Sequence, residues 1–456
     1  VANSLFIQQL TAIVGNSNVL VETNSKKPFE HEWRGKFSAV ALAVVFPNTV
    51  TQIQQIIKLC NSFKIHIVPQ GGNTSLCAAA IPEVLNNNQE IILNLSKLNK
   101  IIKLDSLNQT LVVEAGCTLL QIQNFAKENN LYFPLSIGSE GSCQIGGNIA
   151  TNAGGIHVLK YGMMRQLVMG LEVVLADGSV VQQLHELYKN NTYLDLKQVF
   201  VGSEGTLGII TKAVLKLYPQ PNNYACGLIA SNSINESIKI YKLLAQKYDL
   251  HAFEIINKYT QELYNEAFSN NKFPLSAEWL VLFEIIINDN YSLDSFSQDL
   301  TQFNIDLESV ILASSEKERK NFWLQRENIP LAEKEHKLII KHDISLPIGN
   351  IEQFLKLNFH HLQQSNYNFN LIIFGHLGDG NLHYNIHLNA ADNYAQASQA
   401  INEIIYQDLN SLHGSFSAEH GIGQIKKDLY KKYADPVSYN LARAIKSLLD
   451  PNKLFN

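Results

Sequence analysis

The stretch Phe374-Gly375-His376-Leu377-Gly378-Asp379-Gly380-Asn381-Leu382-His383-Tyr384-Asn385-Ile386, preceded by Leu371-Ile372-Ile373, decides how the second half of this chain is built. An apolar run, then Asp379-Gly380, then Leu382, Tyr384 and Ile386 alternating with His383, Asn385 and His387 spell a β-hairpin with a two-residue turn. With that turn, outward pairing sets Gly378 opposite Asn381, Leu377 opposite Leu382 and His376 opposite His383. Directly opposed residues have Cβ atoms ~5 Å apart, so two imidazoles there can converge on one ion. An open metal site needs a third ligand, and Ser417-Ala418-Glu419-His420-Gly421 offers Glu419 with His420 beside it. Spacing alone fits two ordinary hairpin-surface histidines equally well.

Outward from the hairpin, β-type runs near 225–230, 279–287, 309–313, 338–344, 371–376 and 382–388 alternate with amphipathic helices such as 235–246 and 351–364. This pattern predicts helices on one face of a largely antiparallel sheet. The tail over 422–449 reads as helix ending at Asp450-Pro451. Upstream, Val50, Ile53, Ile56, Ile57 and Cys60 form a helical stripe before a strand at 65–68. Strands near 91–95 and 111–115, a helix near 118–128, and a hairpin turning at Asp177-Gly178 between 171–176 and 179–183 complete a mixed α+β domain. Tyr218-Pro219-Gln220-Pro221 is the linker, and Asn86-Asn87-Asn88 marks a loop.

A chain of 456 residues needs more than one core. Its net charge of -5, without a basic stripe, gives no footprint for nucleic acid or an anionic membrane. Five scattered cysteines without CxxC spacing argue against a disulfide framework and a thiolate metal site, and fit a reducing compartment. The start of the chain lacks a basic and apolar leader pattern, and no apolar run approaches the ~20 residues that span a bilayer. The expectation is a cytoplasmic protein that works on small molecules.

Three glycine-bearing stretches punctuate the first domain: Pro69-Gln70-Gly71-Gly72-Asn73-Thr74-Ser75-Leu76, then 136–155, then Val201-Gly202-Ser203-Glu204-Gly205-Thr206-Leu207-Gly208-Ile209-Ile210. Glycine permits positive φ and close amide approach, and short polar side chains add donors, a combination that cradles a pyrophosphate. None is a G-x-G-x-x-G opening a helix after a strand, which disfavours a Rossmann nicotinamide site. Each alone also reads as a plain turn. The run from Cys143 to Gly155 is long and lacks bulk, as if a large planar ligand took the space.

These segments resemble the FAD-linked oxidases of the vanillyl-alcohol-oxidase type. The hairpin and the Ser-Ala-Glu-His-Gly loop resemble the branch of D-2-hydroxyglutarate, D-lactate and glycolate dehydrogenases. The resemblance runs from Trp33-Arg34-Gly35 to Leu449-Asp450-Pro451 and is nearest to the D-2-hydroxyglutarate dehydrogenases. It implies an α+β fold: a two-part FAD-binding domain at 1–219, a ferredoxin-like antiparallel-sheet cap at 220–412 that binds substrate, and a helical segment at 413–456 that carries Glu419 and His420 and packs on the FAD domain. It implies non-covalent FAD. The first loop, Pro69 to Leu76, would take the pyrophosphate. Gly138, Ser142, Gly146, Gly147, Asn148, Thr151, Asn152, Gly154 and Gly155 would line the ribityl and ring region, and Glu204, Gly205, Gly208, Ile209 and Ile210 the adenine side. His157 and Cys143 are the residues that could make the flavin covalent.

The resemblance also places Arg326 and Lys341 where substrate-carboxylate residues are expected, a fork and a point charge. Solvated charges, or an Arg326 pair with Glu327, are the alternative. Four residues beyond Arg326 this chain has Pro330 where the family has threonine, which weakens recognition of a distal carboxylate. The implied chemistry is oxidation of a D-2-hydroxy acid. Zn2+, or Mn2+ or Fe2+, would sit on His376, His383 and Glu419, with His420 as general base and Asn385 touching substrate. Electrons would leave to an electron-transfer flavoprotein or a quinone, and a homodimer is one assembly open to the chain. D-lactate or glycolate oxidation is the near alternative. A zinc hydrolase, or a flavin-binding protein without activity, is the alternative from another class.

Overall fold

The computed structural model describes residues 2–83, 89–192, 194–287, 293–303, 305–390 and 392–455, so the Asn86–Asn88 loop lies outside the described residues. It falls into two compact units. The first comprises 1–155, 161–220 and 419–456; the second comprises 156–160 and 221–418. Three places differ from the boundaries expected from sequence: 156–160 and 413–418 lie with the second unit, and Gln220 lies with the first. The chain passes between units at Gln220, inside the proline pair.

The first unit is built on two larger sheets, beside a short antiparallel pair of Leu131–Tyr132 with Tyr218–Pro219. The smaller orders Val19–Leu20, Ala43–Val45, Glu90–Asn94 and His66–Gln70, the last three parallel. Pro69 has no N–H to give a ladder, and it is tolerated because His66–Gln70 is an edge strand. The helix Val50–Phe63 buries Ile53, Ile56, Ile57 and Cys60, is capped by Thr49 accepting from the Gln52 amide, and stops at Lys64 with φ 55°. The larger sheet orders Ile101–Asp105, Thr110–Glu114, Ile209–Lys216, Val168–Val174 and Val180–Gln183, all antiparallel. The last two strands are the Asp177-Gly178 hairpin, with Val174 paired to Val180 and Gly178 at φ 84°. Both sheets and the terminal Leu454 and Phe455 share one core. Ile67 donates its N–H to Leu454 O at 2.8 Å.

The predicted tail helix is two helices, Lys427–Tyr433 and Pro436–Leu449. Pro436 cannot continue a helix from above but suits a first turn, and Asp435 caps that turn by accepting from the Ser438 amide.

In the second unit one antiparallel sheet runs Val310–Leu312, Tyr224–Ser231, Trp279–Ile286, Asp249–Asn257, Phe369–Gly375, Asn381–Leu388, Ile339–Ile340, with Asp343–Ser345 also on Asn381–Leu388. The single strand read at 338–344 is therefore two short pieces.

Its apolar strands bury two acids. Glu284 accepts from His251 Nδ1 at 2.8 Å, Arg319 Nη1 at 2.5 Å and Trp323 Nε1 at 2.8 Å, while the His157 ring stacks on His251 at 3.9 Å. Burial alone would raise this carboxyl, but His251 and Arg319 hold it down at about 2, below its ordinary 4.5. A depressed native value means that the group's contribution is complete above about pH 4.5 and is lost as pH falls toward 2. Glu284→Gln should therefore cost about 1–3 kcal/mol at pH 7, because it removes the buried charge that His251, Arg319 and Trp323 all meet, while Arg319 keeps Glu316. Urea unfolding should show a gap from wild type that is constant down to about pH 5 and narrows below it.

Candidate active site

The hairpin turn is wider than its sequence suggests. Phe374, not His376, pairs with His383, and the connection contains a tight 3₁₀ turn over Leu377–Asp379 before Gly380 at φ 83°. The two-residue turn that Asp-Gly favours, type I′, needs positive φ at both central positions. Here Asp379 instead turns helically and accepts from the Asn381 amide at 3.1 Å. At Gly375 the strands pinch so closely that a Cβ would lie 2.6 Å from Asn381 O. His376 is thus lifted out of the ladder, yet its ring centroid lies 6.0 Å from that of His383 at 71°. Burial raises the Asp379 carboxyl to about 6.

The second buried acid, Glu254, sits on Asp249–Asn257 with no solvent exposure. One oxygen accepts from Arg326 Nε at 2.7 Å, the other meets His376 Nδ1 at 2.5 Å. Burial opposes its charge, but His376 and Arg326 bring it to about 2. The Arg326–Glu327 pairing weighed above does not form the buried contact. Arg326 is only 6% exposed and lies 4.7 Å from the Phe374 ring centre, and Phe374 in turn lies 4.7 Å from the His383 ring. A carboxylate on His376 Nδ1 fixes the tautomer and makes Nε2 the nitrogen that would take an ion.

A third acid gathers the remaining second-unit candidates. Glu333, 2% exposed, is ion-paired with Lys341 and accepts from Asn385 Nδ2 at 2.6 Å. Asn385 Oδ1 accepts the His342 amide at 2.9 Å. Pro330 is exposed, at the start of the short helix Ile329–Ala332.

Sequence reasoning missed Glu254 and Glu333. The signal for the first was a lone acid inside the apolar run Leu250-His251-Ala252-Phe253-Glu254-Ile255-Ile256, since a buried charge must have partners. For Glu333 there was none.

In the first unit the three glycine stretches come together. A Cβ on Gly72 would lie 2.0 Å from Ser142 O, so the first two loops touch backbone to backbone. The third is tied to the second by Gly202 N–H to Ile149 O at 3.1 Å and Glu204 N–H to Ala150 O at 2.7 Å. Side chains of Gln70, Asn73 and Asn152 hold these loops: Gln70 donates to Phe29 and Ala80 carbonyls, Asn73 to Pro28 and His31, and Asn152 accepts the Arg165 amide. A cofactor here would meet mostly backbone amides. Room exists for it, because a Cβ on Gly138, Gly141 or Gly147 meets nothing within 4 Å. Gln144 Oε1 and Asn148 Oδ1 are buried without a hydrogen-bond partner among the described residues. Open space fits a large planar group, and the two orphaned acceptors fit one that brings N–H or O–H donors to them.

Glu419 and His420 also belong to the first unit, directly after Ala418, whose amide donates to Asp343 O at 3.3 Å in the second. Asp343 is the register partner of His383.

Residues 41–183 match the family described as FAD binding domain, and residues 220–456 match FAD linked oxidases, C-terminal domain. The chain belongs to the FAD-linked oxidases. This FAD-linked oxidase is 32% identical to a D-2-hydroxyglutarate dehydrogenase of Stutzerimonas stutzeri over 99% of its own length and 97% of the relative's. It is 31% identical to a Schizosaccharomyces pombe mitochondrial protein named among the D-lactate dehydrogenases, over 98% and 88%. The solved structure of p-cresol methylhydroxylase with substrate bound shares its fold, with a TM-score of 0.76 at 19% identity over 99% of this chain and 95% of that one. The FAD-linked oxidase is an FAD-dependent oxidoreductase. No helix among the described residues is long and apolar enough to cross a membrane.

Proposed function

We propose that this FAD-linked oxidase converts a D-2-hydroxy acid of the D-2-hydroxyglutarate class to its 2-oxo acid. The observation that carries the reading is Glu254. One buried acid holds both a carboxylate-gripping arginine and a ligand-type histidine, the pair that a hydroxyl next to a carboxylate requires.

Arg326 spends Nε on Glu254, which aims its two terminal nitrogens as the fork for a substrate carboxylate. Lys341, steadied by Glu333, adds a second positive charge, and Asn385 is oriented by the same acid. His376 and His383, with Glu419 as the third donor, would make an N,N,O set suited to Zn2+ or Mn2+, which would lower the hydroxyl pKa when bound. His420 takes the hydroxyl proton as general base. FAD supplies the acceptor for the Cα hydride. The flavin is held without a covalent bond: Cys143 is buried with its thiol pushed up by that burial, and His157 is stacked on His251. Electrons then pass to an electron-transfer flavoprotein or a quinone. Buried thiols at all five cysteines suit a reducing compartment such as the cytoplasm.

A panel of D- and L-2-hydroxy acids with an artificial dye acceptor, run before and after prolonged chelation, tests this. Turnover should be confined to D acids and vanish on chelation while flavin absorbance stays. Because Pro330 donates no hydrogen bond, D-lactate should compete within about tenfold, and Pro330→Thr should shift preference toward the diacid by roughly 1–2 kcal/mol. Turnover of L acids, or full activity in a preparation shown to be metal-free, would defeat the reading.

A further inference from the structure

The Glu204 carboxylate reaches the loop that follows His420. Oε1 accepts the Ile422 amide at 2.7 Å and Oε2 the Gly423 amide at 2.7 Å. Gly421 at φ 77° and Gly423 at φ 49° turn successive N–H groups inward, a nest for an anion that this side chain fills. The fit is tight, since a Cβ on Gly421 would stand 2.7 Å from Glu204 Oε1, and one on Gly423 would stand 2.0 Å from Cys77 O. Gln424 completes the anchorage by donating to Ala78, Ile81 and Pro82 carbonyls. Glu204 itself sits at φ 52° between Gly202 and Gly205, both at positive φ. A side chain kept there costs about 1 kcal/mol against glycine, so glycine would serve at 204 were the backbone all that mattered.

We infer that Glu204 is a positioning residue for the reaction: its carboxylate clamps the turn at 421–423 and so sets where Glu419 and His420 stand. The inference rests on His420 being the base. It gives Glu204 a task different from contact with the adenine side of FAD, although the backbone at 204–205 remains part of the cofactor cradle. A glutamine offers one acceptor oxygen for two amides and turns its NH2 against the other, so one charge-assisted bond becomes a donor–donor clash.

Two variants test the clamp. Glu204→Gln keeps size, and Glu204→Gly removes the carboxylate while favouring φ 52°, so the second folds even where the first does not. Both should bind FAD with wild-type stoichiometry and spectrum and keep KM for the hydroxy acid. Their kcat should fall about 10- to 100-fold, the scale of a base displaced by about 1 Å. Amide exchange at Ile422 and Gly423 should quicken. Loss of FAD in both variants would return Glu204 to the cofactor, and wild-type kcat in both would abolish the clamp. His420→Ala measured alongside separates the two readings. A low kcat there with normal Glu204 variants removes the clamp. The reverse pattern removes the base and leaves the clamp acting through another residue of the loop.

Discussion

Replacing His420 with alanine should cut kcat by roughly 10²- to 10⁴-fold, the range for a lost general base, with little change in KM. The reason is charge. Hydride cannot leave Cα while the hydroxyl keeps its proton, because the product would then be a protonated ketone. A histidine can hold that proton at neutral pH, and alanine leaves only water. Rapid mixing with substrate isolates the step, since flavin bleaching in the absence of an electron acceptor reports hydride transfer alone. That bleaching should slow by the same factor as kcat. Unchanged bleaching with reduced turnover would move His420 to reoxidation, and near-normal values of both would require another base.

Arg326→Ala carries the second large effect, on binding and on stability together. Losing the charged fork should raise KM about 10²-fold, or about 3 kcal/mol, with kcat changed less, because the contact exists in ground and transition states alike. The same change strands Glu254, wholly buried, with His376 as its remaining charge partner. Denaturant unfolding should show a loss of about 3–5 kcal/mol. The two effects are separable, because adding Glu254→Gln removes the stranded charge. The double variant should recover much of the stability and none of the affinity. Recovery of both would mean that Arg326 serves only the fold. Arg326→Lys should rescue neither, since an ammonium cannot bond Glu254 sideways and still present a fork beside Phe374.

Much of this arrangement was legible in the residues. The stripe Ile53, Ile56, Ile57 and Cys60, the Asp177-Gly178 turn and the strand pair ending in Gly375 and beginning at Asn381 follow from periodicity and turn chemistry that act locally. The approach of His376 to His383 was legible too, but by the wrong route. Alternation fixes which face a side chain takes; it does not fix how many residues a turn absorbs, and Asp379 capping the Asn381 amide absorbed three more. The partners of Arg326 and Lys341 were out of reach for a different reason. Glu254 lies 72 positions before Arg326, and only the sheet brings them together. Glu333 lies eight positions before Lys341, but a helix, a turn and a strand separate them. The link from Glu204 to Gly423 spans 219 positions and leaves no periodic trace.

The first unit is assembled from three separate lengths of chain, with Leu454 and Phe455 inside its core. This bears on the order of events during synthesis. At the usual pace of translation, the roughly 230 residues between Gln220 and Leu454 take about 10–50 s to make. Throughout that interval the strand His66–Gln70 lacks the Leu454 carbonyl that its Ile67 amide meets in the finished protein. The second unit, made of 156–160 and the length from Pro221 to Ala418, has all its residues while the nascent flavin unit still lacks those from Glu419 onward. Of the two units, the one whose chain emerges earlier is therefore the one that closes later.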